Sequence, residues 1–285
     1  FTVQYRQCLQ SEIDILADNA IATFESLVNV ITSSGHQLYL LIDEYDNFAN
    51  EVLMQTRPNQ QRYEDLVQSE GILKTLFKAI KGNASEGKIG RVFITGVSPL
   101  VMSDMTSGYN VATHIYLESD FNVLCGITTN ELTQLVTTIS AECQQSSDNV
   151  QTTLETMRQF YNGYRFCYDF TQEKVYNPTL CFYYLRYLQR NCEAPPQILD
   201  GNLAMDANKI RYIANLPAGK AVIANILDEQ QAVKLARLEN QFGIEKLHDI
   251  QTDPDYMVSL LYFFGVLTLS GRGVIGELIL DIPNL

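Results

Sequence analysis

A short apolar run that ends in a group of carboxylates constrains the fold of this chain more than any other stretch. Residues 38–42 read Leu-Tyr-Leu-Leu-Ile and are followed at once by Asp43, Glu44, Tyr45 and Asp46. An apolar run without polar alternation is typical of a strand in a parallel sheet that is covered on both faces. Open sheets of this kind bind their ligands at the carboxyl ends of the strands. The sequence therefore predicts a buried parallel strand whose end carries a functional site.

The two carboxylates that follow this strand fit the Walker B pattern of nucleotide hydrolases. In that pattern Asp43 would hold Mg²⁺, usually through water, and Glu44 would orient and deprotonate the attacking water. The pattern is short, so a core strand that runs into a solvated acidic loop explains it equally well. The surrounding sequence has to decide between these two interpretations.

Composition narrows the class of protein and of partner. The 285 residues, 46% of them hydrophobic, can bury a large core in one big domain or two to three small ones. The formal charge of -13 repels phosphate backbones and argues against an extended nucleic-acid surface on this segment. The longest nearly apolar stretch, residues 257–269, is shorter than the about 20 residues that cross a bilayer, and the first residues lack a signal-sequence pattern. We expect no membrane partner and a cytosolic or nuclear location.

The cysteines and histidines show no metal-binding spacing. The cysteines lie at long, unequal intervals without a C-x-x-C pair, in a chain too large to need disulfides for stability. The three histidines are equally dispersed, which argues against a zinc site. We therefore expect reduced thiols at all six cysteines, Cys8, Cys125, Cys143, Cys167, Cys181 and Cys192.

Strands and helices alternate through the first part of the chain. Apolar residues at helical spacing predict one helix within residues 11–31 and another around residues 66–80. The apolar runs at residues 38–42 and 91–95 predict strands, and a third strand is expected at residues 113–117. Repetition of this sort favours an α/β fold with a doubly wound parallel sheet.

Small and hydroxyl-bearing residues follow the second of these strands. Thr95 ends the strand, and Gly96 and Ser98 come directly after it. Because the carboxyl ends of neighbouring parallel strands meet at one edge of a sheet, we expect Thr95 and Ser98 to lie beside Asp43 and Glu44 if the two strands are adjacent.

The character of the chain changes after Cys125, where helical patterns dominate. Thr128 and Glu131 form the sequence pattern of a capping box at the start of a helix. Asn177 followed by Pro178 predicts another helix start, with an N-cap and a proline in the first turn. Two further helical patterns, near residues 150–160 and 178–189, complete a helical appendage.

The last part of the chain resembles a winged-helix module. After the linker Pro195-Pro196, short helices lead to a helix at residues 255–264 and a hairpin within residues 266–282. A helix and hairpin that merely pack on the rest explain the pattern equally well, and the acidic charge argues against reading a DNA groove. We expect three domains: an α/β core at residues 1–125, a helical lid at 126–195 and the winged-helix-like module at 196–285.

One apparent phosphate-binding motif does not fit its context. Residues 82–88 match G-x-x-x-x-G-K, but a P-loop has to follow a strand and open a helix. Here the motif follows a helical pattern and runs into a strand, and Ile89 replaces the hydroxyl residue that binds Mg²⁺. We interpret it as a loop between a helix and a strand.

Five motifs in order resemble the predicted AAA-ATPase-like family. The resemblance extends over most of the chain, and the combination is far more specific than any single motif. It rests on residues 43–51, 91–99, 124–128, 161–166 and 175–178.

The resemblance implies a fold and a set of site residues. It implies a P-loop-type sheet followed by a helical lid and a winged-helix-like end, often with a restriction-type nuclease domain beyond. It implies ATP and Mg²⁺ as ligands, with Asp43 coordinating the metal and Glu44 activating water. It implies that Thr95 or Ser98 senses the γ-phosphate.

The chain departs from the family in one respect, because residues 1–42 contain no glycine-rich phosphate-binding loop. We therefore expect a P-loop upstream of Phe1, and further sequence downstream of Leu285. In the first of two functional hypotheses, the chain is the body of a regulatory ATP hydrolase, with a fused or associated nuclease and possible self-association. In the second, it is a degenerate ATPase that serves as a binding or scaffold module without turnover.

Overall fold

The computed structural model describes residues 16, 18–46, 71–97, 112–199, 217–229, 232–239 and 253–284. The chain divides into two compact units; the described residues up to Thr113 belong to the first and the described residues from His114 onward belong to the second. The described parts contain seven helices, two parallel strands in the first unit and three antiparallel strands in the second.

The first unit is built from two helix and strand pairs. Helix α1 spans Ala20–Ser33 and leads into strand β1, Leu38–Ile42, while helix α2, Ile72–Ser85, leads into strand β2, Ile89–Ile94. The side chain of Asn19 caps α1 by accepting a hydrogen bond from the N–H of Ala22 at 3.0 Å. The two strands pair in parallel, as the alternating pattern predicts for an α/β fold.

Both helices pack on the same face of the β1–β2 sheet. They contact each other, and each contacts a strand, so that Val28 and Phe77 are buried between the layers. On the opposite face Tyr39 is 67% exposed, Leu41 77% and Phe93 43%. The prediction of a strand covered on both faces is therefore wrong within the described residues, because no described element packs on that second face.

The expected third strand is also wrong. Residues 113–115 have no regular structure, and residues 116–117 form a turn. The N–H of Glu118 donates to the carbonyl of Ile115 at 3.2 Å, which bends the backbone instead of extending it. A strand requires a neighbouring strand for its backbone hydrogen bonds, and no described strand pairs with this segment.

Three helices form the core of the second unit. Helix α3 spans Thr129–Glu142, α4 spans Ser147–Tyr161 and α5 spans Pro178–Asn191. The predicted capping box is confirmed, since Thr128 Oγ1 accepts from the Glu131 N–H at 3.2 Å and the Glu131 carboxylate accepts from the Thr128 N–H at 2.9 Å. The predicted cap of α5 is confirmed as well, because Asn177 Oδ1 accepts from the Leu180 N–H at 3.2 Å.

A disulfide joins the carboxyl ends of α3 and α5. Cys143 and Cys192 lie one residue beyond these helices, with a Cα to Cα distance of 5.3 Å that suits a bridge. The expectation of reduced thiols is wrong for this pair. The two cysteines are 49 residues apart in the sequence, and their proximity becomes evident only when the ends of α3 and α5 are seen to lie together. Cys125, Cys167 and Cys181 are free, and Cys8 lies outside the described residues.

The rest of the second unit combines two helices with a three-stranded sheet. In chain order the elements are α6 at Pro217–Glu229, β3 at Val233–Leu235, α7 at Pro254–Phe263, β4 at Thr268–Arg272 and β5 at Leu278–Asp281. Strands β4 and β5 form the predicted hairpin, and the structure adds an antiparallel strand, β3, that pairs with β5 so that the order in the sheet is β3-β5-β4.

Among the described helices, none combines the length and the apolar character needed to cross a membrane.

Candidate functional site

The loops that follow β1 and β2 meet at the carboxyl ends of these strands. The N–H of Thr95 donates to the carbonyl of Ile42 at 2.8 Å, and the N–H of Tyr45 donates to the carbonyl of Thr95 at 3.1 Å. These bonds continue the parallel ladder past the last strand residues. The acidic loop therefore lies directly beside Thr95, as expected for adjacent strands.

Asp43 is held at this edge by two hydrogen bonds. The Thr95 hydroxyl donates to Asp43 Oδ1, and the N–H of Glu44 donates to the same oxygen at 3.0 Å. Among the described residues, no hydrogen bond reaches the second carboxylate oxygen, Oδ2. The Asp43 side chain is thus fixed through one oxygen and offers the other to solvent, where the residue is exposed.

Glu44 has an unusual backbone conformation. Its φ of 50° lies in the left-handed region, which costs about 1–2 kcal/mol for a residue with a Cβ. Its carboxylate makes no hydrogen bond or ion pair with any described residue, and the residue is exposed. Backbone strain of this kind is concentrated at functional sites.

Asp46 and Gly96 hold the two loops together. Asp46 is 0% exposed, and its Oδ1 accepts a hydrogen bond from the N–H of Val97 at 3.1 Å. A Cβ on Gly96 would lie 2.4 Å from the Tyr45 ring and 2.5 Å from Asp46 Oδ1, closer than any real contact. The glycine shortly after the strand is one sequence signal of this close packing. The sequence does not show that Asp46 is buried, because nothing in it separates this residue from acids on the surface.

The described residues fit one side of a magnesium and nucleotide site. They contain no group of three or more acidic, histidine or cysteine side chains that could enclose a metal. Protein sites for Mg²⁺ commonly supply only one or two carboxylates, and water and phosphate oxygens complete the shell. The free oxygen of Asp43 meets that requirement, while Ser98, also predicted to bind nucleotide, lies outside the described residues.

The rejected G-x-x-x-x-G-K motif lies in a turn between a helix and a strand. Gly82 belongs to the last part of α2, and β2 begins at Ile89. The Lys88 ammonium forms an ion pair with Glu86 at 2.8 Å and donates to Asn29 Oδ1 at 3.1 Å. The lysine is therefore engaged locally, and the motif connects a helix to a strand instead of following a strand and opening a helix as a P-loop does.

The motif at residues 161–166 connects the helical core to the C-terminal sheet. The buried N–H of Arg165 donates to Thr268 Oγ1 at 2.8 Å, and the Tyr262 hydroxyl donates to the Arg165 carbonyl at 3.4 Å. Gly163 adopts a φ of 123°, and a Cβ there would collide with the backbone of Pro283. The motif, which has no role assignable from sequence, is thus a joint between two parts of the second unit.

The motif at residues 175–178 supports this joint from the other side. Val175 and Tyr176 form isolated bridges to Tyr164 and Ile127. The buried side chain of Asn122 accepts from the Phe166 N–H and donates to the Glu173 carbonyl, each at 2.9 Å. These contacts fix the chain around the joint. The role of Asn122 could not be predicted from the sequence, because a single asparagine forms no recognisable motif.

Comparison with known proteins gives one match. Residues 2–106 match the family model described as AAA-ATPase_like, Predicted AAA-ATPase. No match was found among the curated proteins or among the solved structures. The matched segment includes β1, β2, Asp43, Glu44 and Thr95. Over residues 2–106, the resemblance of this chain to the predicted AAA-ATPase-like family is therefore confirmed.

Proposed function

We propose that this chain is the body of an ATP-binding and hydrolysing regulatory ATPase, with its catalytic carboxylates, Asp43 and Glu44, directly after β1 and beside the end of β2. The observation that carries this proposal is the hydrogen bond between Thr95 and Asp43, which joins the two strand ends at the edge where α/β sheets bind ligands. The family match over the same residues supports it.

Each residue of the site has a distinct role in this proposal. Asp43 presents its free carboxylate oxygen to magnesium, while the Thr95 hydroxyl keeps the side chain in one orientation. Glu44 orients the attacking water and accepts its proton. Asp46 fixes the neighbouring loop through the Val97 N–H. Magnesium, when bound, neutralises charge on the phosphate oxygens.

The proposal requires a phosphate-binding segment in addition to the described residues. Residues 1–42 lack a glycine-rich loop, and Lys88 is engaged with Glu86. The exposed face formed by Tyr39, Leu41 and Phe93 offers an apolar surface on which such a segment can pack. We propose that a P-loop segment outside residues 1–285 completes the nucleotide site and covers this face.

The C-terminal part is proposed to act as a winged-helix-like module of the same enzyme. The succession of α6, β3, α7 and the β4–β5 hairpin, with strand order β3-β5-β4, supports that interpretation. The joint at residues 161–166 bonds this module to the helical lid. We therefore propose that lid and module respond to nucleotide as one body that controls an attached effector.

The experiment that tests this function uses the full-length protein and a Glu44→Gln substitution. Removing the proton acceptor should lower ATP hydrolysis by at least about 100-fold and leave ATP binding within about twofold. Hydrolysis is measured by phosphate release and binding by calorimetry. Glu25→Gln, a change to an exposed glutamate on α1, serves as the control and should alter neither quantity.

Two outcomes oppose the proposal in different ways. If the unaltered full-length protein binds ATP without hydrolysing it, the degenerate binding or scaffold module is correct. If Glu44→Gln hydrolyses ATP as fast as the unaltered protein, the catalytic carboxylate lies elsewhere.

A further inference from the structure

Helix α5 presents a stripe of aromatic and cationic side chains that are exposed or half-buried. The stripe, named here the α5 face, lines an open depression whose described lining residues all belong to this one helix. Its aromatic members are Phe182, Tyr183 and Tyr187, its cations are Arg186 and Arg190, and Thr179 and Asn191 lie at its two ends.

The composition of the α5 face is unusual for a solvent-exposed helix surface. The opposite side of α5 already anchors the helix in the core through five buried residues, Leu180, Cys181, Tyr184, Leu185 and Leu188. If the other side of α5 only faced solvent, we would expect it to be polar. In a chain with 33 acidic and 20 basic residues, we would also expect it to include carboxylates. Instead α5 contains no acidic residue, and Phe182 is 58% exposed.

The two arginines are available to a ligand. They lie four residues apart, one helical turn, and both are exposed. Neither forms an ion pair or a side-chain hydrogen bond within the part of the chain that the structure describes. The neighbouring Gln189 donates to Glu142 of α3 at 3.4 Å, and no ion pair among the described residues joins that carboxylate to either arginine.

The α5 face is held rigidly by its surroundings. The Tyr183 hydroxyl donates to the carbonyl of Gln197 at 2.9 Å, and Asn191 Nδ2 donates to the Tyr187 carbonyl at 3.1 Å. The disulfide between Cys143 and Cys192 fixes the end of α5 to α3. A surface that is ordered before binding loses little conformational entropy when a partner docks.

We propose that the α5 face docks an acidic amphipathic helix of a partner protein. The stripe follows the spacing of three and four residues along 14 residues, about 21 Å of helix, which suits side-by-side packing of a second helix. Apolar residues of the partner contact Phe182 and Tyr187, and its carboxylates pair with Arg186 and Arg190. This inference does not depend on the proposed ATPase activity.

Charge decides against the other occupants. A two-fold pairing of α5 with a second copy would bring four arginines together without any carboxylate from the helix itself. The formal charge of -13 repels every anionic partner, but a nucleic acid or an anionic membrane extends far beyond the stripe and meets more of that charge than a short helix whose few carboxylates face the two arginines.

The test measures binding of synthetic helical peptides to the full chain by fluorescence anisotropy. The first probe is a peptide of about 20 residues, about 30 Å as a helix, with leucines on one face flanked by glutamates at i and i+4. The second replaces each glutamate by glutamine. A single-stranded oligonucleotide and vesicles of anionic lipid are measured alongside, and gel filtration reports self-association.

Two double variants distinguish an effect of the α5 face from an effect of the net charge of the chain. Arg186→Glu with Arg190→Glu reverses the proposed site, while Lys78→Glu with Lys220→Glu makes the same change in net charge at exposed lysines of α2 and α6. We expect the first pair to weaken binding of the acidic peptide by at least about tenfold and the second by less than about twofold at physiological salt. Circular dichroism checks that both variants fold.

Two measurements on the unaltered chain test the proposal even if the charge-reversed variant does not fold: the affinity of the glutamine peptide and the salt dependence of acidic-peptide binding. We expect the glutamine peptide to bind at least about tenfold more weakly to the unaltered chain, and the acidic peptide to lose affinity as salt rises. Equal affinity of the two peptides, or no saturable binding of the acidic one, would overturn the proposal. The proposal would also be overturned if the oligonucleotide or the vesicles bound more tightly than the acidic peptide and lost that binding in the double arginine variant. A dimer that disappears in the same variant would overturn it as well.

Discussion

At the residue scale, a few side chains determine how the loops after β1 and β2 fit together. The proximity of Thr95 to Asp43 follows from the sequence, since two apolar runs of similar length and a helix between them predict adjacent parallel strands. The burial of Asp46 does not follow from it. A carboxylate four residues past a strand looks like any solvated acid until its partner, the Val97 N–H, is known.

Gly96→Ala should destabilise the first unit by about 1–3 kcal/mol, because the added methyl group overlaps the Tyr45 ring and the Asp46 carboxylate. Urea unfolding measures the change in free energy. Gly82→Ala is the matched control, since nothing lies within 4 Å of its added Cβ and alanine favours the helix by about 0.5–1 kcal/mol. Equal stability of the two variants would show that the loops do not pack as described.

At the element scale, local sequence signals predict the helices and strands of the second unit well. Thr128 and Asn177 mark the starts of α3 and α5, because capping depends only on neighbours within one helical turn. Features that depend on distant partners escape this reasoning. Strand β3 is only three residues long and is stabilised by pairing with β5, and Cys143 meets Cys192 only because α3 and α5 end together.

The capping box of α3 gives a pH-dependent contribution to stability. Hydrogen bonds from the N–H and the hydroxyl of Thr128 hold the pKa of Glu131 below its usual value of 4.5. Since the folded pKa is the lower one, this contribution is fully present above about pH 4.5 and is lost as the pH falls through the folded pKa. Glu131→Gln should therefore lower stability at neutral pH and flatten its decline in acid, as measured by thermal unfolding across that range.

An exposed acid on the next helix provides the comparison for that prediction. Among the described residues, Glu155 accepts a hydrogen bond only from Gln151 of its own helix, so Glu155→Gln should leave the pH profile of stability unchanged. A Glu131→Gln profile that runs parallel to the unaltered one would mean that the box is not formed in solution.

At the scale of the whole molecule, the motifs that stand out in the sequence fall in two groups. Asp43 and Thr95 belong to the strand ends of the first unit, while residues 161–166 and 175–178 join the helical core of the second unit to its C-terminal sheet. The joint could not be predicted, because the bond from Arg165 to Thr268 links residues 103 positions apart. The exposed face of the β1–β2 sheet could not be predicted either, because the apolar run at residues 38–42 has the sequence pattern of a strand that is buried on both faces.

We propose that Asp43, positioned by Thr95, holds the magnesium of an ATP site. The most direct test is the magnesium dependence of ATP hydrolysis by the full-length protein, with Asp43→Asn, Thr95→Val and the control Thr138→Val, an exposed threonine on α3. We predict that half-maximal activity requires at least about tenfold more Mg²⁺ in the first two variants and the same concentration in the third. An unchanged magnesium requirement in Asp43→Asn would contradict the account.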